Sequence, residues 1–521
     1  MGSVLAQFRA TTMDPLAATS FSYWPFLILV VSVGFVILAI SKLRLPAFIA
    51  LIGGALIAGL MAEKLPESRE ASPLAETLPA PGKTAPKFHL GRAVDMTAGE
   101  FGRTAGGVAI SIVLASIIGM CLMESGAADK VVRRFLGAFG EKNAGLALLL
   151  STYVLSVPIF FDTMFMLMVP LAKALRIRTG KDYLLFVLVI CAGGVVTHSM
   201  TVPHPGPMAM VDNLKVDVGL SILAGILVGL PAVLGGWLFS RWLNKRIEVP
   251  LRETPGSTMK DLQAIVDKPE SQLPGFVASI SPVIVPILLI TLSSFFVVAQ
   301  GAAAEGRGWA TSLVSLLGGQ PGFFTAIKWS EFIGDKNIAL FVGTVLAVVV
   351  MMRQRRVSMG QLEKLFGPPL ETAGTIILIT AAGGAFGLML RNAGMAEAIK
   401  AVALDYKLNL LVLGYVVSVV LRVAQGSATV AMLTTSAMLY PLTVDAAGLS
   451  TMSVHPLYLF LTIGFGAFSC SWMNDSGFWV VSRLGGLTEK EMLKTWTPLL
   501  TVVSLIGFVV TMVVSSVLPF R

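Results

Sequence analysis

The chain has 521 residues, of which 55% are hydrophobic and only 13% charged, and its mean hydropathy is +0.80. That composition excludes a soluble enzyme of this size and defines a polytopic membrane protein. The 39 Lys and Arg against 30 Asp and Glu are what basic enrichment of cytoplasmic loops leaves behind, so nucleic-acid binding is not implied.

Residues 1–23 lack a basic, apolar and small-residue cleavage pattern, and 24–40 reads as an uncleaved first span. Apolar segments follow at 46–62 and 104–123. A hairpin at 144–175 comes next, then segments at 183–213, 218–243, 277–299, 338–352 and 372–390, a second hairpin at 408–443, and segments at 455–480 and 496–518. The predicted class is an all-α polytopic membrane protein. Between them, 63–103 turns polar and carries Pro66, Pro73, Pro79, Pro81 and Pro86, which predicts a mobile loop without a core. A second polar connector at 244–274 divides the chain. Trp309 to Leu317 and Phe323 to Phe332 read as short interfacial helices. Thr488 and Glu491 form a capping box for a surface helix leading to Trp496. Cys121, Cys191 and Cys470 lie in apolar segments at spacings that give neither a disulfide framework nor a metal site.

The halves resemble each other. Gly119, Leu122, Gly126 and Ala128 recur at the same spacing as Gly387, Leu390, Gly394 and Ala396, and Pro170-Leu171 recurs as Pro441-Leu442. An odd number of crossings separates the two copies, which makes them inverted repeats, each with a re-entrant hairpin and a discontinuous transmembrane helix. The predicted division is 1–100 (a transmembrane pair and an extracytoplasmic loop), 101–243 (transport repeat 1), 244–371 (connector and scaffold helices) and 372–521 (transport repeat 2). Alternating the loops between two faces puts the larger share of Lys and Arg on the face holding Arg353 to Lys364 and Arg483 to Lys494. That face is cytoplasmic by the positive-inside rule, which leaves both termini outside.

Polar residues interrupt the apolar run at four places, where unwound backbone offers N–H and C=O groups that lipid would not tolerate. In VPIFFDTMFMLMVP, Pro158 frees a carbonyl, and Asp162 and Thr163 are placed to cap the returning arm; an acid at membrane depth is a candidate proton carrier. In THSMTVPHPGP, Pro203, Pro205 and Pro207 open the span, and His198 and His204 bracket the break. Each imidazole either carries a proton or stays neutral on a freed carbonyl. In RVAQGSAT, Gln425, Gly426, Ser427 and Thr429 offer donors on tight backbone. Arg422 there costs about 2.5 to 3.5 kcal/mol at membrane depth unless it is paired. Its partner is either a substrate carboxylate or a protein acid such as Asp162 or Asp475. In SCSWMNDSG, Asn474, Asp475 and Ser476 are placed to restart a helix with its N–H groups facing the break.

The motifs IFFDTMF, THSMTVPHPGP, RVAQGSATVA, and NDSGFW followed by LTEKEMLKTW, in this order, make the chain similar to the gluconate permease (gluconate:proton symporter) family, from about residue 100 to the C-terminus. The resemblance implies a secondary transporter in the bacterial cytoplasmic membrane that imports gluconate or a related small sugar acid with protons, commonly on a homodimeric scaffold. It implies no cofactor, no nucleic acid, and the bilayer and a small sugar acid as partners. It points to Thr163, His198, His204, Arg422, Gln425, Gly426, Ser427, Thr429, Asn474 and Ser476 as substrate-binding and to Asp162 and Asp475 as proton-coupling. The rival readings are a sodium-coupled carboxylate transporter, since tip carbonyls and hydroxyls also coordinate sodium, and a metal-dependent membrane enzyme with His198 and His204 as ligands, which no HExxH motif or acid-rich triad supports.

Overall fold

The structure, a computed structural model, describes residues 23–43, 45–63, 65, 89–252, 269–304, 306–356, 359–395, 398, 409–443, 452–473 and 475–519. Among the described residues the secondary structure is helical throughout, without a strand. Seven helical stretches there are long and apolar enough to cross a membrane. In lipid this follows from the backbone, because a helix satisfies its own N–H and C=O groups.

Helices α1 (Trp24–Ser41) and α2 (Ala47–Met61) form an antiparallel pair. Helix α3 (His89–Ser125) then begins well before the predicted span. Residues 89–103, expected as the end of a mobile loop, are therefore helical. Ala93, Thr97 and Glu100 recur at helical spacing and are all buried, while Arg92, Asp95 and Arg103 dilute the hydropathy that a span search relies on. The proline-rich part of the expected loop, 66–88, lies outside the described residues.

From α3 onward the chain repeats one pattern. In the first half, α3 is followed by α4 (Ala127–Phe139), a hairpin of α5 (Ala144–Leu155) and α6 (Phe161–Thr179), a broken span of α7 (Tyr183–Met200) and α8 (Pro205–Leu214), and α9 (Val218–Asn244). Between the halves lie α10 (Phe276–Ala304), α11 (Gly308–Leu316), α12 (Gly319–Ile333) and α13 (Lys336–Arg355). The second half has α14 (Met359–Leu390), a hairpin of α15 (Leu410–Gln425) and α16 (Ala428–Leu439), a broken span of α17 (Pro456–Gly466) and α18 (Ser476–Gly485), and α19 (Glu489–Val517).

The chain leaves α3 and α14 through glycines at equivalent positions, Gly126 with φ +75° and Gly394 with φ +83°. A side chain would strain both, so the sequence echo marks a shared backbone turn. Packing is symmetric as well: α3 lies on α14 and α9 on α19, while α8 packs on α16 and α18 on α6. Each second half-helix thus rests on the second hairpin arm of the opposite half. Helices α10 and α13 pack together beside this body, α10 against α9 and α13 against α3.

The helix bodies approach closely at small residues, the route to packing where lipid supplies no hydrophobic drive. A Cβ on Gly507 of α19 would fall 2.0 Å from the Phe465 ring of α17. The capping box is present, with the Glu491 N–H donating to Thr488 Oγ1 at 3.3 Å and the Thr488 N–H to Glu491 Oε2 at 2.7 Å. The helix it starts is not a separate surface helix, however. It runs unbroken into the final span, and Trp496 is buried. Arg252 of the connector meets Glu491 with two hydrogen bonds, of 2.7 and 2.9 Å, and also donates to the Gly486 carbonyl at 2.6 Å. Tyr183 of the first half donates to the Gly485 carbonyl at 2.6 Å, so both halves hold the turn between α18 and α19.

Candidate functional site

Each broken element ends at an opening: residues 156–160 between α5 and α6, 201–204 between α7 and α8, 426–427 between α15 and α16, and 467–475 between α17 and α18. The first two follow from proline, which removes a donor and pushes its predecessor out of the helical region. The third is made by Gly426, whose φ of +77° ends α15 while its N–H returns to the Arg422 carbonyl at 2.9 Å. Only a residue without Cβ adopts that conformation without cost.

The openings meet one another. His204 Nε2 lies 2.8 Å from the Ser156 carbonyl oxygen; since a carbonyl only accepts, Nε2 carries the hydrogen. This joins the first opening to the second. Gly206 packs on Met432, which brings the second beside the third. Arg422 Nη2 donates to the Asp475 carboxylate and joins the third to the fourth. Phe161 packs on Trp496, with ring centroids 5.7 Å apart, and lies against Gly477, which brings the fourth back to the first.

At the third and fourth openings the interactions are dense. Arg422 is buried, and its Nη1 donates to the Gly426 carbonyl. Asp475 Oδ2 also accepts from Ser471 Oγ, and its Oδ1 accepts the Gly477 N–H at 3.0 Å, so the side chain caps α18. Trp496 Nε1 donates to Ser471 Oγ at 2.7 Å and holds that hydroxyl in place. Trp472 Nε1 donates to the Val423 carbonyl at 3.1 Å, one residue from Arg422. Of the two expected partners for the arginine, the structure pairs it with the protein acid Asp475.

The remaining expected residues fall as follows. Ser427 caps α16 by accepting the Val430 N–H at 3.3 Å, and Thr429 lies half-buried in the first turn of that helix. Ser476 is the exposed first residue of α18. Asp162 and Thr163 do not cap α6: the cap position is Phe160, which makes no side-chain cap hydrogen bond. The helix begins at Phe161 and carries both polar residues inside its first turn, with Asp162 exposed. Asn474 and the side chain of Gln425 lie outside the described residues.

The two histidines lie against each other beside Phe160, with their ring centroids 4.4 Å apart and their planes tilted by 52°. The Nδ1 atoms of both are buried without a protein partner, as are Arg422 Nε and the hydroxyls of Thr152, Ser156, Ser199, Thr434 and Thr435. Buried polar groups are rarely left so. The hydroxyls of Thr152, Thr434 and Thr435 escaped the sequence reading because each sits inside an apolar arm. Their signal is position, since Thr152 precedes the first opening, which Ser156 begins, and Thr434-Thr435 follows the third. Ser471 and Trp496 escaped because their roles exist only between elements. Among the described residues no group of three His, Cys, Asp or Glu is placed to hold a metal.

Broken helices whose polar ends converge inside an apolar helical body, with hydrogen-bonding groups left open, are the architecture that transporters use for a site at membrane depth. The protein is a multi-pass membrane transporter. The sequence profile described as GntP family permease matches residues 89–517, and the chain belongs to that family. It is 29% identical over 421 residues to a gluconate permease of Pseudomonas aeruginosa, covering 80% of this chain and 86% of the relative. It is 30% identical over 411 residues to a gluconate permease of Zymomonas mobilis, covering 79% and 85%. In fold it is similar to Neisseria gonorrhoeae MtrF, with a TM-score of 0.58 at 14% identity, covering 92% of this chain and 96% of that one.

Proposed function

We propose that the chain is a proton-coupled symporter that imports gluconate or a related small sugar acid across the bacterial cytoplasmic membrane. The observation that carries this is that a new helix starts at every opening, α6, α8, α16 and α18. Each N-terminus is the positive end of a helix dipole, and those of α6, α16 and α18 also leave first-turn N–H groups open, which suits an anion. The names of the Pseudomonas and Zymomonas relatives support gluconate as its identity.

In this reading the substrate carboxylate lies against Arg422 Nε and the first turns holding Ser427, Thr429, Ser476 and Thr163. The hydroxyls of Thr434 and Thr435 hydrogen-bond the polyol. Asp475, held by three donors, keeps Arg422 oriented. The two halves are inverted repeats, the hairpins are re-entrant, and both termini face outward. Alternating access then moves the openings between the two sides, while α10 and α13 serve as scaffold for a homodimer.

The test is uptake of labelled gluconate by proteoliposomes under an imposed pH gradient or an imposed sodium gradient. Accumulation with the pH gradient alone is the expected result. Accumulation that needs sodium, or none with gluconate but uptake of a dicarboxylate, overturns the reading.

A further inference from the structure

We infer that His198 and His204 form the site that holds the transported proton, with His204 Nδ1 as the acceptor atom. The inference rests on the proton-coupled reading above and names its carrier.

The geometry is specific. His204 spends Nε2–H on the Ser156 carbonyl at 2.8 Å, so in the neutral ring Nδ1 is a bare lone pair. That atom is buried and has no protein partner, and neither has Nδ1 of His198 in the tilted ring whose centroid lies 4.4 Å away. His198 lies in the last turn of α7, and His204, the N-cap of α8, reaches across to the carbonyl of Ser156, the C-cap of α5. A helix C-terminus is the electrostatic place for a cation. The two expected acids are less suited. Asp475 is occupied by Arg422, Ser471 and the Gly477 N–H. Asp162 stands exposed in the first turn of α6.

The charged groups whose fields reach His198 are Asp475 and Arg422, opposite in sign and paired with each other. The end of α5 presents the Ser156 carbonyl, and the start of α6 presents the Phe160 ring. Nothing in this surround supplies a net negative charge for a buried imidazolium. The arriving carboxylate does. Anion and proton therefore bind together, each raising the affinity for the other by the same factor.

The experiment adds gluconate to the full-length protein in weakly buffered detergent with a pH indicator, between about pH 5 and 8. Wild type is expected to take up a proton as gluconate binds. His204→Gln is expected to bind gluconate more weakly and without proton uptake, and Asp162→Asn to retain the uptake. In proteoliposomes His204→Gln should exchange gluconate for gluconate but fail to accumulate it under a pH gradient. Proton uptake by wild type that persists in gluconate-binding His204→Gln overturns the histidine assignment alone. Absence of proton uptake by wild type overturns the coupling itself. If His204→Gln does not bind, nitrogen-15 spectra of histidine-labelled wild type decide. A histidine Nδ1 that gains a proton on gluconate addition supports the site, and unmoved histidine resonances overturn it.

Discussion

The pair between Arg422 and Asp475 can be tested quantitatively. Asp475→Asn leaves the buried guanidinium with the Gly426 carbonyl as its remaining partner among the described residues; it also weakens the acceptor of Ser471 Oγ and of the Gly477 N–H. Removing one member of a buried ion pair costs roughly 3 to 5 kcal/mol, because the other charge stays behind uncompensated. Asp475→Asn and Arg422→Gln should each lose about that much, a factor of roughly 100 to 5000 in the folded-to-unfolded ratio at about 1.4 kcal/mol per tenfold. The double substitution leaves no unpaired charge, so it should lose less than the two singles together, with an interaction energy of about 1 to 3 kcal/mol. The assay is reversible unfolding of the purified protein in mixed micelles of increasing denaturing detergent, read by tryptophan fluorescence. Arg422→Lys refines the result, since an ammonium cannot bridge the Gly426 carbonyl and Asp475 with one planar fork. Single losses under about 1 kcal/mol, or a double loss equal to the sum, would refute the claim that this pair joins the second hairpin to the second broken span.

Three further outcomes follow from the geometry. A Cβ on Gly225 would fall 2.2 Å from the Met200 carbonyl oxygen, a backbone atom at the second opening, so Gly225→Ala should destabilise the fold by about 1 to 3 kcal/mol and weaken gluconate binding, measured by unfolding and calorimetry; unchanged affinity would free α9 from positioning the break. Thr488→Ala removes the capping box of α19 and should cost about 1 kcal/mol, whereas Arg252→Ala should cost more if the connector clamps the turn between α18 and α19; equal losses would count against the clamp. In a cysteine-free background, Tyr23→Cys should react with an impermeant thiol reagent in whole cells and Arg353→Cys should not; the reverse pattern would invert the proposed topology.

Much of this architecture was legible in one dimension. Membrane class, helix-only structure and the places where spans break depend on local chemistry: lipid forbids unpaired backbone, prolines at 158, 203, 205 and 207 forbid continuous helix, and a glycine at 126 or 394 permits a left-handed turn. Those signals lie within a few residues of what they cause, so the sequence displays them directly. Amphipathic helix was harder to see, and residues 89–103 were misread because polar side chains that find partners in three dimensions look like loop when counted singly.

The pairings themselves came only with tertiary structure. Which acid Arg422 meets, which carbonyl His204 takes, and that Trp496 holds Ser471 are choices between groups 53, 48 and 25 positions apart. The sequence carried both answers for the arginine, substrate or protein acid, because a buried guanidinium demands a partner without specifying one. The orientation of the half-helices brings the protein acid to Nη2 and leaves Nε open. By starting α18 at Ser476, the fold turns Asp475 into a cap whose second oxygen faces the end of α15. That same folding leaves two imidazole nitrogens and Arg422 Nε buried without protein partners, a feature that has no signature until the chain closes around it.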